Sequence, residues 1–399
     1  MNIGLGIGIP FSRSILYRAL STSLYLDFVS NETLDSRITF TRASSATRVN
    51  SSGLIEAVAS NAPRFDYDPV TLQPKGLLIE EQRTNLLTYS EQFGNAEWTI
   101  GTGTVTANSK TAPDGTLTAD MYTTTGTSAQ SIYQSATVTA STSYTVSFYV
   151  LLGSLLPSNF TIAIYNNTGA SFIAADVIPM QTPTASGWTR ISYTFTTPVG
   201  CTSVRVYPFR YGPAISSSTF YIWGAQLEAG AFPTSYIPTT TAAATRAADV
   251  ALMTGANFSS WYRQDEGTLF VDGETAGGTS PGFVAVQNAG LTHFTRITRS
   301  FSQAATLVNM AGVDQAAIFS GTTFNTGKFV NIATAYKIND FSQVLNGATA
   351  VVDSAGSVPT VDTAQIGGGG YANYLNGHIR RIAYFPRRLS NAELQGITA

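Results

Sequence analysis

Residues 38–98, ITFTRASSATRVNSSGLIEAVASNAPRFDYDPVTLQPKGLLIEEQRTNLLTYSEQFGNAEW, decide how the chain is organised. This segment, here called the hub, contains short apolar runs at Gly53–Val58 and Gly76–Ile79. Turn-forming sequences such as Asn50–Gly53 and Asp66–Pro69 separate them. Runs this brief between turns predict small β-strands.

The composition favours an all-β protein with several domains. At 399 residues, the chain exceeds the size that one hydrophobic core usually serves. Thr, Ser, Gly, Val, Ile, Tyr and Phe are abundant, whereas runs of Lys, Glu and Leu at helical spacing are scarce. Because 12% of the residues are charged and 43% are hydrophobic, the surface must consist largely of Ser, Thr, Asn and Gly.

Charge, cysteine content and hydropathy exclude several classes of function. The net charge of −2 is spread without basic blocks, so neither nucleic acid nor a membrane surface is an expected partner. Cys201 is the one cysteine and is expected as a buried thiol. No apolar run reaches the ~18 residues that span a bilayer. Residues 1–20 lack the basic region and cleavage site of a signal peptide, which predicts folding in a cytoplasm without membrane insertion.

Residues 1–23 place small and aliphatic residues in alternation. Such a segment has one flat apolar face and no partner of its own in the sequence. One interpretation is a strand that joins a neighbouring sheet, or a tail; the other is a segment that docks on a larger assembly or threads between protomers. The aliphatic residues that would form this anchor are Ile3, Leu5, Ile7 and Ile9.

Two β-sandwiches are predicted after a small β collar at 24–92. Residues 93–230 and 250–399 both contain strand-sized alternating segments bounded by Gly, Pro and Asn, and the Pro- and Thr-rich residues 231–249 indicate an extended linker. Near the end of the chain, Ser390 and Glu393 have the spacing of a capping box that starts a short helix. The predicted strands include Ala119–Thr123, Ser143–Leu152, Gly282–Gln287, Thr363–Ile366 and His378–Phe385.

Three sequence resemblances accompany this organisation. The motifs FTRASSATRV, PRFDYDP and KGLLIEEQRTNLL in the hub resemble a module of bacteriophage virion proteins. SYTVSFYV, GWTRISYTFTTP and FYIWGAQLEAG resemble the jelly roll of carbohydrate-binding modules. KFVNIATAYKINDFSQVLNGATAVVD, AQIGGGG and YLNGHIRRIAYFPRRLSNAELQGI resemble the concanavalin A-like, laminin G-type lectin domain. These resemblances imply a virion appendage such as a fibre, spike or decoration protein. Its expected partners are other virion proteins and host-surface glycans, with a homotrimeric state and a location in the virion, assembled in the host cytoplasm.

Aromatic residues are the expected glycan contacts. Sugar rings stack on exposed Trp or Tyr rings, while amide and guanidinium groups bind the hydroxyls. Trp188 and Trp223 lie inside alternating strands and are expected in the core. The candidates lie in polar stretches, in a glycine-rich loop or at a strand end: Trp261, Tyr262, Tyr371, Asn373, Tyr374, Tyr207, Arg210 and Tyr211.

Two carboxylates support an enzymatic alternative. Asp272 and Glu274 are two residues apart on a predicted strand, as an acid/base pair of a glycan depolymerase would require. The simpler interpretation is two solvated acids at a strand end, and we therefore predict binding rather than catalysis. A purely structural virion component is the third alternative. Neither His293 nor His378 has a partner at metal-ligand spacing, so no cofactor is predicted; a structural calcium ion is compatible with both sandwich types, but no Asp/Asn cluster offers a site.

Overall fold

The computed structural model confirms an all-β fold, with 48% of residues in strands and 4% in helices. It describes residues 20–126, 128–278, 280–370 and 373–399. The expected anchor residues and Tyr371 lie outside these ranges. Within them, no helix has the length and apolar character needed to cross a bilayer.

Short strands make up nearly all the regular structure of the described residues. Besides them there are a 3₁₀ turn at Pro157–Asn159 and two helices, α1 (Ala256–Ser259) and α2 (Asn391–Thr398). The strands are β1 (Leu24–Asp27), β2 (Thr39–Thr41), β3 (Ala46–Val49), β4 (Ile55–Val58), β5 (Arg64–Tyr67), β6 (Pro74–Ile79), β7 (Arg83–Asn85), β8 (Thr99–Thr102), β9 (Thr104–Lys110), β10 (Ala119–Thr123), β11 (Gln130–Thr137), β12 (Ser143–Leu152), β13 (Ile162–Asn166), β14 (Ser171–Val177), β15 (Thr189–Thr196), β16 (Ser203–Tyr211), β17 (Thr219–Ala229), β18 (Ala244–Arg246), β19 (Val250–Thr254), β20 (Glu266–Gly273), β21 (Gly282–Gln287), β22 (His293–Ser300), β23 (Gln303–Met310), β24 (Val313–Thr323), β25 (Val330–Lys337), β26 (Asp340–Leu345), β27 (Val351–Asp353), β28 (Thr363–Ile366) and β29 (Gly377–Phe385).

The chain forms two compact units, each built from separate segments. The central unit comprises Thr41–Pro74 and Glu80–Asp249, and the C-terminal unit comprises residues up to Phe40, Lys75–Ile79 and Val250–Ala399. The hub therefore contributes to both units, whereas the sequence predicted a collar at 24–92. Its apolar runs are too short to enclose a core. The run Gly76–Ile79 joins a large sheet of the C-terminal unit as part of β6, whereas β4, in the run Gly53–Val58, pairs with β3 in a two-stranded sheet.

The central unit is an antiparallel sandwich of two five-stranded sheets. Their strand orders are β15-β12-β17-β10-β9 and β14-β13-β16-β11-β8. Phe148, Phe160, Phe209 and Phe220 are fully buried between them. Burial of each phenyl ring contributes about 1.5–3 kcal/mol, so these rings are a main source of stability.

The C-terminal unit contains a seven-stranded sheet, β2-β19-β28-β21-β22-β23-β24, and a second sheet with the order β27-β26-β25-β20-β29. The edge of β29 that does not pair with β20 pairs with two further strands. Leu24 of β1 lies opposite Tyr384, and Ile79 of β6 lies opposite Gly377. Helix α2 follows, and the capping box predicted between Ser390 and Glu393 is confirmed.

Most predicted strands are confirmed, and two of the missed ones have a common cause. Ser143–Leu152 and Thr363–Ile366 have the predicted bounds. Strands β9 and β14 were not predicted; they lie at sheet edges and are largely exposed, so they carry no apolar alternation. Residues 231–249, expected as an extended surface linker, contain the buried residues Tyr236 and Ile237.

Buried ion pairs join distant segments of the central unit. Arg64 contacts Asp249 through Nη2 and Glu80 through Nη1, the latter at 2.8 Å. Arg42 donates from Nη1 to the second oxygen of Asp249 at 3.0 Å. Arg246 binds the same Glu80 oxygen at 2.7 Å. Although burial alone would raise it, Arg246 and Arg64 hold the pKa of Glu80 far below its ordinary value. We call these five residues the ionic cluster.

We predict that Asp249→Asn destabilises the central unit by about 3–5 kcal/mol, because it leaves the buried Arg42 and Arg64 guanidinium groups without their shared counter-charge. Urea unfolding of the full chain, followed by tryptophan fluorescence in a Trp261→Phe background, measures this, since the remaining tryptophans belong to the central unit.

The matched control is Glu97→Gln, which removes the charge of an exposed carboxylate in the same unit. It should leave the urea midpoint unchanged. An unchanged midpoint for Asp249→Asn as well would show that the ionic cluster contributes nothing to stability.

Candidate functional site

One face of the sheet β14-β13-β16-β11-β8 carries aromatic and basic side chains. On β13, Ile164 lies in the sandwich core, so the next residue, Tyr165, points to the opposite face. On β16, Val204 and Val206 lie in the core, and Arg205 between them points outward. Strand alternation thus places Tyr165 and Arg205 on one outer face.

The register of the sheet assembles the face from four strands. Tyr165 pairs with Arg205 on β16 and with Phe172 on β14. The ring centroids of Tyr165 and Phe172 are 4.9 Å apart, and those of Tyr133 and Tyr207 are 4.8 Å apart. We call these five residues the aromatic face. Phe172 is 40% exposed, which leaves its ring accessible to a ligand.

A β-bulge orients Tyr207. Between Val206 and Phe209, β16 has one residue more than its partner β11. Both Val206 and Phe209 can therefore point into the core, while Tyr207 stays on the outer face. The rings of Tyr133 and Phe172 largely cover it.

Two guanidinium groups lie on this face in different environments. Arg205 has its Cζ 5.0 Å from the Tyr133 centroid and 5.6 Å from the Tyr165 centroid, which are cation–π distances. A side-chain hydrogen bond with Tyr207 is the main cause that raises the pKa of Arg205. Arg210 lies 4.5 Å from the Phe172 centroid and forms an ion pair with Asp176.

Sequence reasoning identified only part of this face. Tyr207 and Arg210 were candidates, but Tyr211 packs against the sandwich core and donates its hydroxyl to Asn159 Oδ1 at 3.1 Å. Tyr133 and Tyr165 were missed because each is the single aromatic residue of its strand. Both residues occupy outward-facing positions of strands whose alternate residues are buried, and this alternation could have identified them from the sequence.

Trp261 and Tyr262 are not accessible to a glycan, contrary to expectation. They are 4% and 9% exposed. After α1, both rings turn inward onto Tyr384, with centroid distances of 5.0 Å and 5.3 Å, and Trp261 Nε1 donates to the carbonyl of Asn257 at 2.8 Å. Because their neighbours in the sequence are polar, the burial of these two aromatic residues was not predicted.

The glycine-rich loop of the C-terminal unit keeps Asn373 and Tyr374 half-buried. The carbonyl of Asn373 accepts a hydrogen bond from Gly282 N at 3.1 Å, and its amide nitrogen lies 3.4 Å from Gly369 O. These contacts give Asn373 a role in holding the loop. The structure does not bring the loop candidates and Tyr207 into one compact unit.

The two candidate catalytic carboxylates are neutralised by cations. Asp272 lies 3.2 Å from Arg381, and Glu274 lies 2.8 Å from His378 Nδ1 and 2.7 Å from Lys75 Nζ. Both acids are 5% exposed, so the expectation of two solvated acids is wrong. Burial would raise the pKa of Glu274, but His378 and Lys75 lower it to about 2. A general acid of a glycosidase needs a raised pKa, so this pair is unsuited to that role.

Other polar groups of the described residues offer little chemistry. Cys201 is a buried thiol, as predicted, and lies 3.6 Å from the carbonyl of Ser203. In the part of the chain that the structure describes, no three His, Cys, Asp or Glu side chains are grouped to hold a metal ion. A cleft of about 760 Å³ in the central unit is lined by Arg83 and several threonines, but Arg83 pairs with Glu81 at 2.5 Å.

Comparison with known proteins supports a binding domain in the central unit. Residues 86–210 match a family described as "Carbohydrate binding domain". The matched range includes every residue of the aromatic face and Arg210. This part of the chain is therefore similar to a carbohydrate-binding domain, a match that suggests binding rather than catalysis. No curated protein matches the chain.

The chain is also distantly similar to several solved structures. The CBM40 domain of the Ruminococcus gnavus IT-sialidase, bound to alpha2,3 sialyllactose, has a TM-score of 0.30 at 15% identity, covering 34% of this chain and 84% of that chain. Domain 4 of AbnA, an arabinanase of Geobacillus stearothermophilus, in complex with arabinotriose, has a TM-score of 0.32 at 9% identity, covering 42% and 82%. The Trypanosoma rangeli sialidase in complex with DANA has a TM-score of 0.29 at 14% identity, covering 38% of this chain and 26% of that chain. At these TM-scores the likeness carries no functional inference.

We predict that Glu274 makes the stability of the full chain acid-sensitive. Its folded pKa of about 2 lies below the value of 4.5 for an unperturbed Glu, so its contribution is complete above pH 4.5 and is lost as the pH falls toward 2. Urea unfolding between pH 5 and 2.5 should show Glu274→Gln losing about 2–3 kcal/mol less than the wild type.

Glu97→Gln serves as the control and should lose as much stability on acidification as the wild type. Equal losses for Glu274→Gln and the wild type would mean that the ion pairs of Glu274 with Lys75 and His378 do not stabilise the fold.

Proposed function

We propose that the chain binds glycans through the aromatic face of the central unit. The proposal depends on one observation. Aromatic side chains lie together on an outer sheet face, within the residues 86–210 that match the carbohydrate-binding family. Sugar rings have a flat C–H face that packs on aromatic rings. Tyr165 and Phe172 supply two such rings on neighbouring strands, and Phe172 is the more exposed of the two.

Polar groups around these rings can bind sugar hydroxyls. Ser135 lies opposite Arg205 in the register, and Ser131 lies opposite Arg210. Aromatic stacking supplies affinity, and hydroxyl and guanidinium donors fix the orientation of the sugar. The binding surface runs across strands β14, β13, β16 and β11, which suits an extended chain of sugars.

We assign the chain to a bacteriophage virion appendage, such as a fibre, spike or decoration protein, that adheres to host-surface glycans. The support is the resemblance of the hub motifs to virion proteins. In this proposal, residues 1–23 dock on other virion proteins, the appendage is a homotrimer, and it is assembled in the host cytoplasm. A depolymerase is the weaker alternative, because Asp272 and Glu274 are ion-paired.

We predict that Tyr165→Ala and Phe172→Ala each weaken glycan binding about three- to tenfold, because each removes one stacking ring worth about 0.5–1.5 kcal/mol. A glycan array of the full wild-type chain identifies the ligand, and isothermal titration calorimetry of each variant then measures the loss. Phe301→Ala, which removes an exposed aromatic ring of the C-terminal unit, is the control and should bind as the wild type does.

Two outcomes would contradict this proposal. Absence of binding across the array at high protein concentration would favour a purely structural virion component. Release of reducing sugars from a bound polysaccharide, abolished by Asp272→Asn, would favour the depolymerase.

We predict that deletion of residues 1–19 abolishes incorporation into particles and leaves the described part of the chain intact. Quantitative immunoblotting of purified particles from a complementation experiment measures incorporation, and circular dichroism of the purified variant checks its fold. Incorporation at the wild-type level would contradict the anchor role of Ile3, Leu5, Ile7 and Ile9.

A further inference from the structure

The charges on the sheet that carries the aromatic face do not cancel. The five strands β14, β13, β16, β11 and β8 carry the charged residues Asp176, Arg205 and Arg210. Arg210 and Asp176 form an ion pair. Arg205 has no carboxylate within ion-pair distance among the described residues. The sheet therefore presents one guanidinium group without a counter-charge.

The surroundings of Arg205 keep this cation in a fixed place. Tyr133 on β11 and Tyr165 on β13 flank it from the two neighbouring strands. Its Nε–H has no hydrogen-bond acceptor in the described part of the chain. A half-buried cation that lies between two rings and has no carboxylate partner favours an anionic ligand from outside the protein.

We infer that the aromatic face selects glycans whose sugars carry a carboxylate. This inference rests on the proposed function and adds the substrate class. The carboxylate pairs with the guanidinium of Arg205, whose planar fork matches the two carboxylate oxygens. The ring of the same sugar, or of its neighbour in the chain, lies on Tyr165 and Phe172, which adjoin Arg205 in the register.

Its place on the aromatic face, and not the lack of a counter-charge alone, distinguishes Arg205 from other basic groups in the central unit. Arg83 lines a cleft but pairs with Glu81. Arg42, Arg64 and Arg246 are buried in the ionic cluster. Lys110 stacks on Tyr221 at 5.5 Å on the other sheet, outside the aromatic face, and so provides a matched control for a cation on a tyrosine ring.

The test compares acidic polysaccharides with their carboxyl-reduced forms. Polygalacturonate, alginate and glucuronoxylan, each native and reduced, are offered to the full chain in affinity electrophoresis. We expect at least one native polymer to bind about tenfold more tightly than its reduced form, and this preference to fall as NaCl rises from 50 to 500 mM. Arg205→Gln should abolish the preference, Arg205→Lys should retain part of it, and Lys110→Gln should retain all of it.

Each outcome decides a different point. Equal binding of native and reduced forms in all three pairs would overturn the acidic preference while leaving glycan binding in place. A preference that persists in Arg205→Gln would overturn the role of Arg205. If all six polymers and the glycan array fail to bind, the proposed function itself fails, and the inference fails with it.

Discussion

Pairing of buried charge is the constraint on which the central unit depends. Arg64 is completely buried between Glu80 and Asp249, and an unpaired charge at such a position would cost several kcal/mol. Residues near positions 64, 80 and 249 must therefore meet in one arrangement, although as many as 185 residues separate them along the chain. Hydrophobic burial drives the sandwich together, but its contacts are not directional. Ion pairs with fixed partners add directional contacts, which makes the ionic cluster a source of specificity as much as of stability.

Hydrogen bonds between fixed partners also connect the hub to the strands of the candidate site. Gln134 on β11 exchanges two side-chain hydrogen bonds with the backbone of Thr88, at 2.8 Å and 2.9 Å. Its neighbour Tyr133 is thereby held on the outer face, beside Tyr207 and Arg205. A binding face on paired strands changes little when a ligand arrives, so less conformational entropy is lost on binding. The hub thus acts as part of the frame that orders the aromatic rings.

Sequence alone predicted the strands better than the site, for a physical reason. Alternation is local, so Ser143–Leu152 and Thr363–Ile366 could be recognised from their own residues, and the capping box of Ser390 likewise depends on four consecutive residues. The aromatic face depends on register between strands, which is not local. Tyr133 and Arg205 lie far apart in sequence and meet only through the pairing of β11 with β16. Trp261 was misjudged because polar neighbours suggested exposure, whereas its ring packs against Tyr384.

Because few residues of the chain are charged, a cation without an ion-pair partner has a larger effect on the local electrostatic potential. Only 12% of the residues are charged, and the arginines of the ionic cluster are neutralised by buried carboxylates. On such a surface a single guanidinium has few charged neighbours, and its field extends over a Debye length of about 8 Å. The rings of Tyr133 and Tyr165 lie at cation–π distances from Arg205 and help to hold its guanidinium on this face. A neutral sugar would cover this cation without compensating its charge, so discrimination arises from the cost of desolvating Arg205 as much as from the pair it forms with an acidic ligand.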